Sequence, residues 1–343
     1  MESRPGPTEF ALALNTRLER LMPVLAPAGI VLGFLLPAVF IRLRPFIPWI
    51  FGIMTLSGAI KLKAREFGLV LRDPLPITVT FFSSHLIMPL VVFLVSTLIF
   101  RENGGIIAGY VLVYSVPTAV SGFIWVNMYR GDSALALALI LIATIAAPFI
   151  TPLTISALLG ARVVLDISGI ALSLVMMVLV PTVIGIGTNE ISRGKIPRII
   201  SPFLSPAAKL CLILVIAANA AAVAPRVRLD DPQLWIIAAV CILFAVIAYC
   251  LSRLTGLLCR LNPGKQVTVF FSTGLRNISA AATIAIEFFP EEAALPALLG
   301  IVFQQTMAAL MGRLLLGSPF PPRGEIQIGG GAGTAGPPLK RRR

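Results

Sequence analysis

The chain has 343 residues, 57% of them hydrophobic and only 13% charged, about half the charged share of a soluble domain. The four cysteines, Cys211, Cys241, Cys250 and Cys259, lie in apolar stretches without CxxC spacing, so the sequence signals neither a zinc site nor a disulfide framework, and no metal or cofactor is expected. The net charge of +13 does not mark a nucleic-acid binder, because its placement is explained by membrane topology.

A bilayer core of ~30 Å takes ~20 apolar residues per helix. Residues 1–21 read as a short cytoplasmic amphipathic lead-in, and the first two spans fall at 22–41 and 46–60. The third, 75–100, carries "HLIMP" and the chain's single histidine, His85, beside Ser84. The fourth, 105–129, is interrupted by Pro117, with Ser115, Thr118, Ser121 and Gly122 around it. "RGD" at Arg130 to Asp132 opens the fifth span, 133–160, with Asp132 placed to cap its free amides. The sixth, seventh and eighth follow at 164–188, 205–225 and 233–258. The ninth, 266–288, is interrupted by "STGLRN" at Ser272 to Asn277, and the tenth, 293–316, holds the polar pair Gln304 and Gln305. The Gly/Pro-rich, basic segment 318–343 reads as a disordered tail near lipid headgroups.

With the N-terminus inside, the outer loops receive only Arg42, Arg44, Arg101, Arg162, Arg226 and Arg228, while every other Lys and Arg outside the membrane falls inside. Positive residues stay inside, so both termini are expected in the cytoplasm of a plasma (inner) membrane protein. No loop is large enough for a soluble domain. Five spans (1–160) followed by five (161–317) force the second set to run inverted relative to the first, a plan common among secondary transporters.

The interruptions fall in corresponding spans, the fourth of each half. Proline removes an amide and glycine weakens a helix, so each can unwind locally. At 1.5 Å rise per residue, Pro117 lies ~18 Å and Gly274 ~12 Å from the start of its span, near the midplane. Paired midplane breaks point to a transport site.

The run 109–154, with Pro117, "RGD" and "APFITPL" at Ala147 to Leu153, resembles the fourth and fifth helices of the bile acid:sodium symporter family. "HLIMP" resembles its third helix, and "STGLRN" sits where the family has an acid, any residue, Gly, any residue, Gln, Asn. The resemblance implies an all-α polytopic membrane fold: ten transmembrane helices in two inverted five-helix repeats, with broken helices 4 and 9 crossing in a core domain beside a panel domain. It also implies sodium ligands, which would fall here at Gly122, Phe123, Ala136, Ile140, Ser272, Arg276 and Ser84. Most of the oxygens a hard cation requires are missing from that set.

Arg276 stands ~15 Å into its span, where an unpaired charge costs at least ~2.5 kcal/mol. Three readings are open. The guanidinium replaces the cation by bonding backbone carbonyls at helix C-termini; it pairs with an anionic group of the substrate in the cleft; or it is a structural tie. The first two favour an anionic substrate, with Asn277, Ser272, Thr273, Pro117, Thr118 and Ser121 as further contacts. His85 is either a packed neutral imidazole or a proton-coupling group. A single histidine and the lack of a mid-depth acid argue against an enzyme. The sequence therefore reads as a secondary transporter of a small organic anion by alternating access, lacking the usual sodium sites. The alternatives are a sodium-coupled symporter with a displaced ion site and a proton-coupled carrier using His85.

Overall fold

A computed structural model describes residues 6–61, 72–101, 103–160, 166–226 and 230–317; the expected tail at 318–343 lies outside them. The chain is folded almost entirely into helices, which are numbered here in order: α1 Pro7–Leu35, α2 Pro37–Ala59, α3 Pro74–Ile99, α4 Gly104–Ser115, α5 Gly122–Met128, α6 Ser133–Leu159, α7 Ile167–Ile191, α8 Lys195–Val223, α9 Pro232–Leu258, α10 Pro263–Gly274, α11 Ile278–Phe288 and α12 Glu291–Leu316. Seven of these, α2, α3, α6, α7, α8, α9 and α12, are each long and apolar enough to cross a membrane. The expected fourth and ninth spans each form as two short helices, α4/α5 and α10/α11.

Two boundaries differ from the sequence reading. The lead-in is no separate piece, because α1 begins at Pro7 and continues unbroken into the first apolar stretch. Residues 9–21 are rich in Ala, Leu, Glu and Arg, all strong helix formers, and a proline at the first helical position fits the first turn. The first helix then ends at Leu35 and not at 41, since Pro37 lacks an N–H and its ring crowds the preceding residue out of the helical region. Within α2, residues Ile41–Phe46 tighten into 3₁₀ geometry around Pro45.

The helices pack in two groups. α1, α2, α7 and α8 pack on one another, with α1 lying along α8. α3, α4, α5, α6, α9, α10, α11 and α12 surround the two breaks. The first interface rests on small residues of α1: Gly29 and Gly33, four apart on one face, meet Ile213 and Ile216, and Ala217, Ala220 and Ala221 of α8, respectively. Such spacing lets helix backbones approach closely in a membrane. The second group holds a ring cluster in which Trp125, Tyr129, Tyr249 and Phe270 surround Phe271. Trp49, Phe149, Leu153, Ile199 and Trp235 face outward and largely uncovered, an apolar periphery suited to a lipid bilayer.

Two helices contain a π turn, Ser83–Ile87 in α3 and Val175–Leu179 in α7. In each, the amide just after the turn bonds five residues back: Met88 to the Ser83 carbonyl and Val180 to the Val175 carbonyl. The next residue is a proline in both cases, Pro89 and Pro181, with no N–H to offer. The carbonyls of Ser84 and Met176 therefore lose the donor that would continue the pattern.

A Cβ built on Gly33 would lie 2.2 Å from the Ala217 carbonyl oxygen and 2.8 Å from the Ala220 Cβ. Gly33→Ala should force α1 off α8 and destabilise the protein by about 1–3 kcal/mol. Thermal melting in detergent checks this against Gly187→Ala, where a Cβ meets nothing within 4 Å and the melting temperature should not fall.

Candidate functional site

The two breaks meet. α4 ends at Ser115 and α10 at Gly274, and the extended residues that follow pair as an isolated antiparallel bridge between Thr118 and Arg276. The Asn277 amide donates to the Pro117 carbonyl (2.9 Å), and the Ala119 amide donates to the Leu275 carbonyl (3.0 Å). The Thr118 hydroxyl donates to the same Leu275 oxygen at 3.1 Å. Backbone unwound at membrane depth must find partners within the protein, and each break supplies them to the other. Asn277 then caps α11 by accepting from the Ala280 amide.

Arg276 is the largest fully buried side chain, 1% exposed. One guanidinium nitrogen, Nη1, donates to the Val116 carbonyl at 3.3 Å, and Nη2 donates to the Ser84 carbonyl. Its backbone amide donates to Gln304 Oε1 at 3.3 Å. Both guanidinium acceptors are carbonyls that a regular helix would have used. Val116 caps the C-terminus of α4, the negative end of its dipole, and Ser84 is the carbonyl orphaned by Pro89. No carboxylate pairs with Arg276 among the described residues. A planar fork with fixed donors suits this arrangement better than a lysine's point charge.

The other expected residues divide by what they touch. Ser84 also donates its hydroxyl to Thr273 Oγ1 at 3.4 Å, which ties α3 to α10. Pro117, Thr118 and Asn277 form the crossover itself. Ser121 accepts from Gln305 Nε2 at 3.4 Å, and Gln305 Oε1 accepts from Trp125 Nε1 at 2.9 Å, so the polar pair on α12 serves both breaks. Ser115 turns its hydroxyl back to the Val111 carbonyl in its own helix, at 2.7 Å. Ser272 is buried on α10 but forms no hydrogen bond to Arg276. His85 packs on the Phe81 ring, is within electrostatic range of Arg276, and keeps a buried Nδ1 without a partner. Asp132 accepts from the Leu135 amide at 3.0 Å and caps α6.

At the positions implied by the resemblance for sodium, Gly122, Ala136 and Ile140 are buried and offer no side-chain oxygen, and Phe123 packs into the aromatic cluster. Sequence reasoning missed Thr151, whose hydroxyl donates to the Ser115 carbonyl at 2.8 Å and satisfies the last turn of α4. Its signal was present in "APFITPL", where Thr151 stands between Pro148 and Pro152 on a helix that must pack on the break. The Ser84 carbonyl was also missed, although Pro89 in "HLIMP" marks it.

A polytopic helical membrane protein whose two broken helices meet over a buried charge belongs to the class of membrane transporters. Residues 47–227 match the model of the sodium bile acid symporter family, and the chain belongs to that family. It is similar to the protein YbaS of Bacillus subtilis (strain 168), 36% identical over 86% of this chain and 96% of that protein. It is also similar to the probable sodium/metabolite cotransporter BASS3, chloroplastic, of Oryza sativa subsp. japonica, 28% identical over 91% of this chain and 75% of that one. The sodium-dependent transporter YocS of Bacillus subtilis is 26% identical over 82% of this chain and 86% of its own length. The protein is thus an integral membrane secondary transporter.

Thr151→Val removes the donor from the buried Ser115 carbonyl and should cost about 1–3 kcal/mol. Thr151→Ser should recover most of it, and paired thermal melts in detergent measure both.

Proposed function

We propose that the protein carries a small organic anion across the plasma (inner) membrane by alternating access, with Arg276 standing in the place where relatives hold a cation. The observation that carries this reading is the bonding of the guanidinium to the Ser84 carbonyl of α3 and to the Val116 carbonyl at the end of α4. A fixed positive charge there does electrostatically what a bound ion would do, without coordination by acids. The apolar residues at Gly122, Phe123, Ala136 and Ile140 leave little for sodium to bind. A positive centre at the crossover also favours a negatively charged substrate in front of it, with Asn277, Thr273, Ser272, Thr118 and Ser121 nearby.

In this reading the chain crosses the membrane ten times with both termini in the cytoplasm, residues 1–160 and 161–317 forming inverted five-helix repeats. The group α1, α2, α7 and α8 serves as the panel and the group around the breaks as the core. The pairing of breaks in α4/α5 and α10/α11 and the two-group packing support this arrangement. The reaction is transport and no catalysis is assigned.

Two other couplings have support of their own. The names of two relatives include sodium, which favours a sodium symporter with a displaced ion site. The unpartnered Nδ1 of His85 is the feature that would serve proton coupling, which the nearby cation of Arg276 opposes. Thermal stability of the purified protein, with sodium replaced by potassium or choline and with a panel of organic anions, separates them. We expect a melting temperature indifferent to sodium and raised by an organic anion in wild type but not in Arg276→Ala. A sodium-specific rise in wild type would return the chain to ordinary sodium coupling. The double variant Arg276→Gln, Ser272→Glu should acquire a sodium-specific stabilisation. A folded double variant without one counts against the replacement of an ion by the guanidinium.

A further inference from the structure

The interface between the two helix groups holds a polar contact that the crossover does not use. Asn219 of α8 is the single polar side chain in the run 212–223, and it is fully buried. Its Nδ2 donates across the interface to Thr283 Oγ1 of α11 at 3.3 Å, while Thr283 donates its own hydroxyl to the Ser279 carbonyl at 3.0 Å. The other end of the amide, Oδ1, is buried without a partner. The adjoining residues of both helices, Ala218, Ala220, Ala282 and Ile284, are buried and apolar, so the contact sits in a low-dielectric setting. Thr283 lies ~9 Å along α11 from Asn277, which separates it from the crossover.

The two ends of this amide act on the packing in opposite senses. The bond to Thr283 holds α8 on α11. The unmet oxygen opposes that packing, because a buried acceptor forfeits the water it would otherwise bind. The cost of an unmet buried acceptor exceeds the net gain from one neutral hydrogen bond, so the amide as a whole weighs against the packed arrangement. Parting the groups here returns water to Asn219 and ends the deficit. We propose that Asn219 is a positioning residue of the transport cycle: its half-satisfied amide keeps the packing of α8 on α11 weak enough for the two groups to part. The proposal rests on the alternating-access reading but holds whichever substrate or coupling ion is carried. A hydrogen bond that served only to hold the fold together makes the opposite prediction, since deleting it loosens the interface.

The test uses the full chain in lipid nanodiscs without substrate. Spin labels are placed at Leu36→Cys, between α1 and α2 of the first group, and at Arg101→Cys, beyond α3 in the second, with the four native cysteines replaced by serine; both label sites are exposed. In the ten-span reading they stand at the same end of the molecule, and pulsed electron resonance distances between them give the ratio of parted to packed arrangements. Asn219→Leu keeps the branched shape, removes both polar ends and leaves Thr283 bonded to Ser279, so it should lower that ratio about tenfold. Thr283→Val strips the amide of its remaining bond and should raise the ratio about tenfold, whereas Thr283→Ser should match wild type. The double variant should return to the Asn219→Leu value. Asn219→Leu decides the matter should Thr283→Val fail to fold, and the smaller Asn219→Ala replaces it should leucine not fit. Two distances whose ratio Asn219→Leu leaves unchanged or raises would overturn the role of Asn219 and leave alternating access standing. A single distance in wild type would overturn that role together with the motion itself.

Discussion

The rest of the structure depends on one constraint: two stretches of unwound backbone buried together must satisfy each other. Their amides and carbonyls cross-bond at Pro117–Asn277 and Ala119–Leu275. The orphaned carbonyls at Ser84, Ser115 and Val116 then take the Arg276 guanidinium and the Thr151 hydroxyl. In a medium without water each such carbonyl left alone costs free energy, so the positions of α3, α4, α6 and α10 are coupled through these bonds. Arg276 is the piece that reaches furthest, joining α3 to the end of α4 while its own backbone is held from α12.

Much of this was legible in the sequence, for physical reasons that differ by element. The long apolar helices are written in composition, which a bilayer reads directly. The breaks are written in Pro117 and in the Gly274–Asn277 stretch, because proline and glycine act on the backbone locally. The place of Arg276 in the second break follows from its position beside Gly274 in the sequence, and the structure buries it there. What could not be read was which carbonyls would receive it. That depends on the π turn at Ser83–Ile87, set by packing together with Pro89, and on a contact spanning 192 residues of chain. The first helix was misjudged because hydropathy marks where lipid begins and not where a helix begins. α1 starts in charged, helix-favouring sequence well before its apolar part.

The departures from the family pattern are internally consistent. Gly122, Phe123, Ala136 and Ile140 replace oxygen-bearing positions implied by the resemblance, and Phe123 and Ala136 belong to the apolar cluster around Phe271. In the proposed reading, loss of the ligands and gain of a fixed cation occur at the same crossover. An arginine placed there without loss of the ion would add like charge in a low-dielectric interior, where repulsion is strong. Oxygen ligands retained without an ion would leave buried lone pairs unmet. The sequence changes and the arginine therefore make physical sense as one set.

This set also bears on how the molecule can move. The helices around the breaks are tied by backbone bonds, by the guanidinium and by an aromatic cluster, so rearranging them internally requires breaking buried polar contacts in apolar surroundings. Between the two groups the polar links described are sparser and converge on α11. Arg44 Nη2 donates to the Ile286 carbonyl at 2.9 Å, and Asn219 Nδ2 donates to Thr283 Oγ1 at 3.3 Å. The Ile286 carbonyl lies toward the end of α11 remote from Arg276, along with the contact between Gly169 and Phe288, and Thr283 lies at mid-helix. A relative motion of the groups that opens this end exchanges few hydrogen bonds and leaves the crossover intact. A fixed guanidinium strengthens that division of labour, because its tie persists whether or not an ion or substrate is bound.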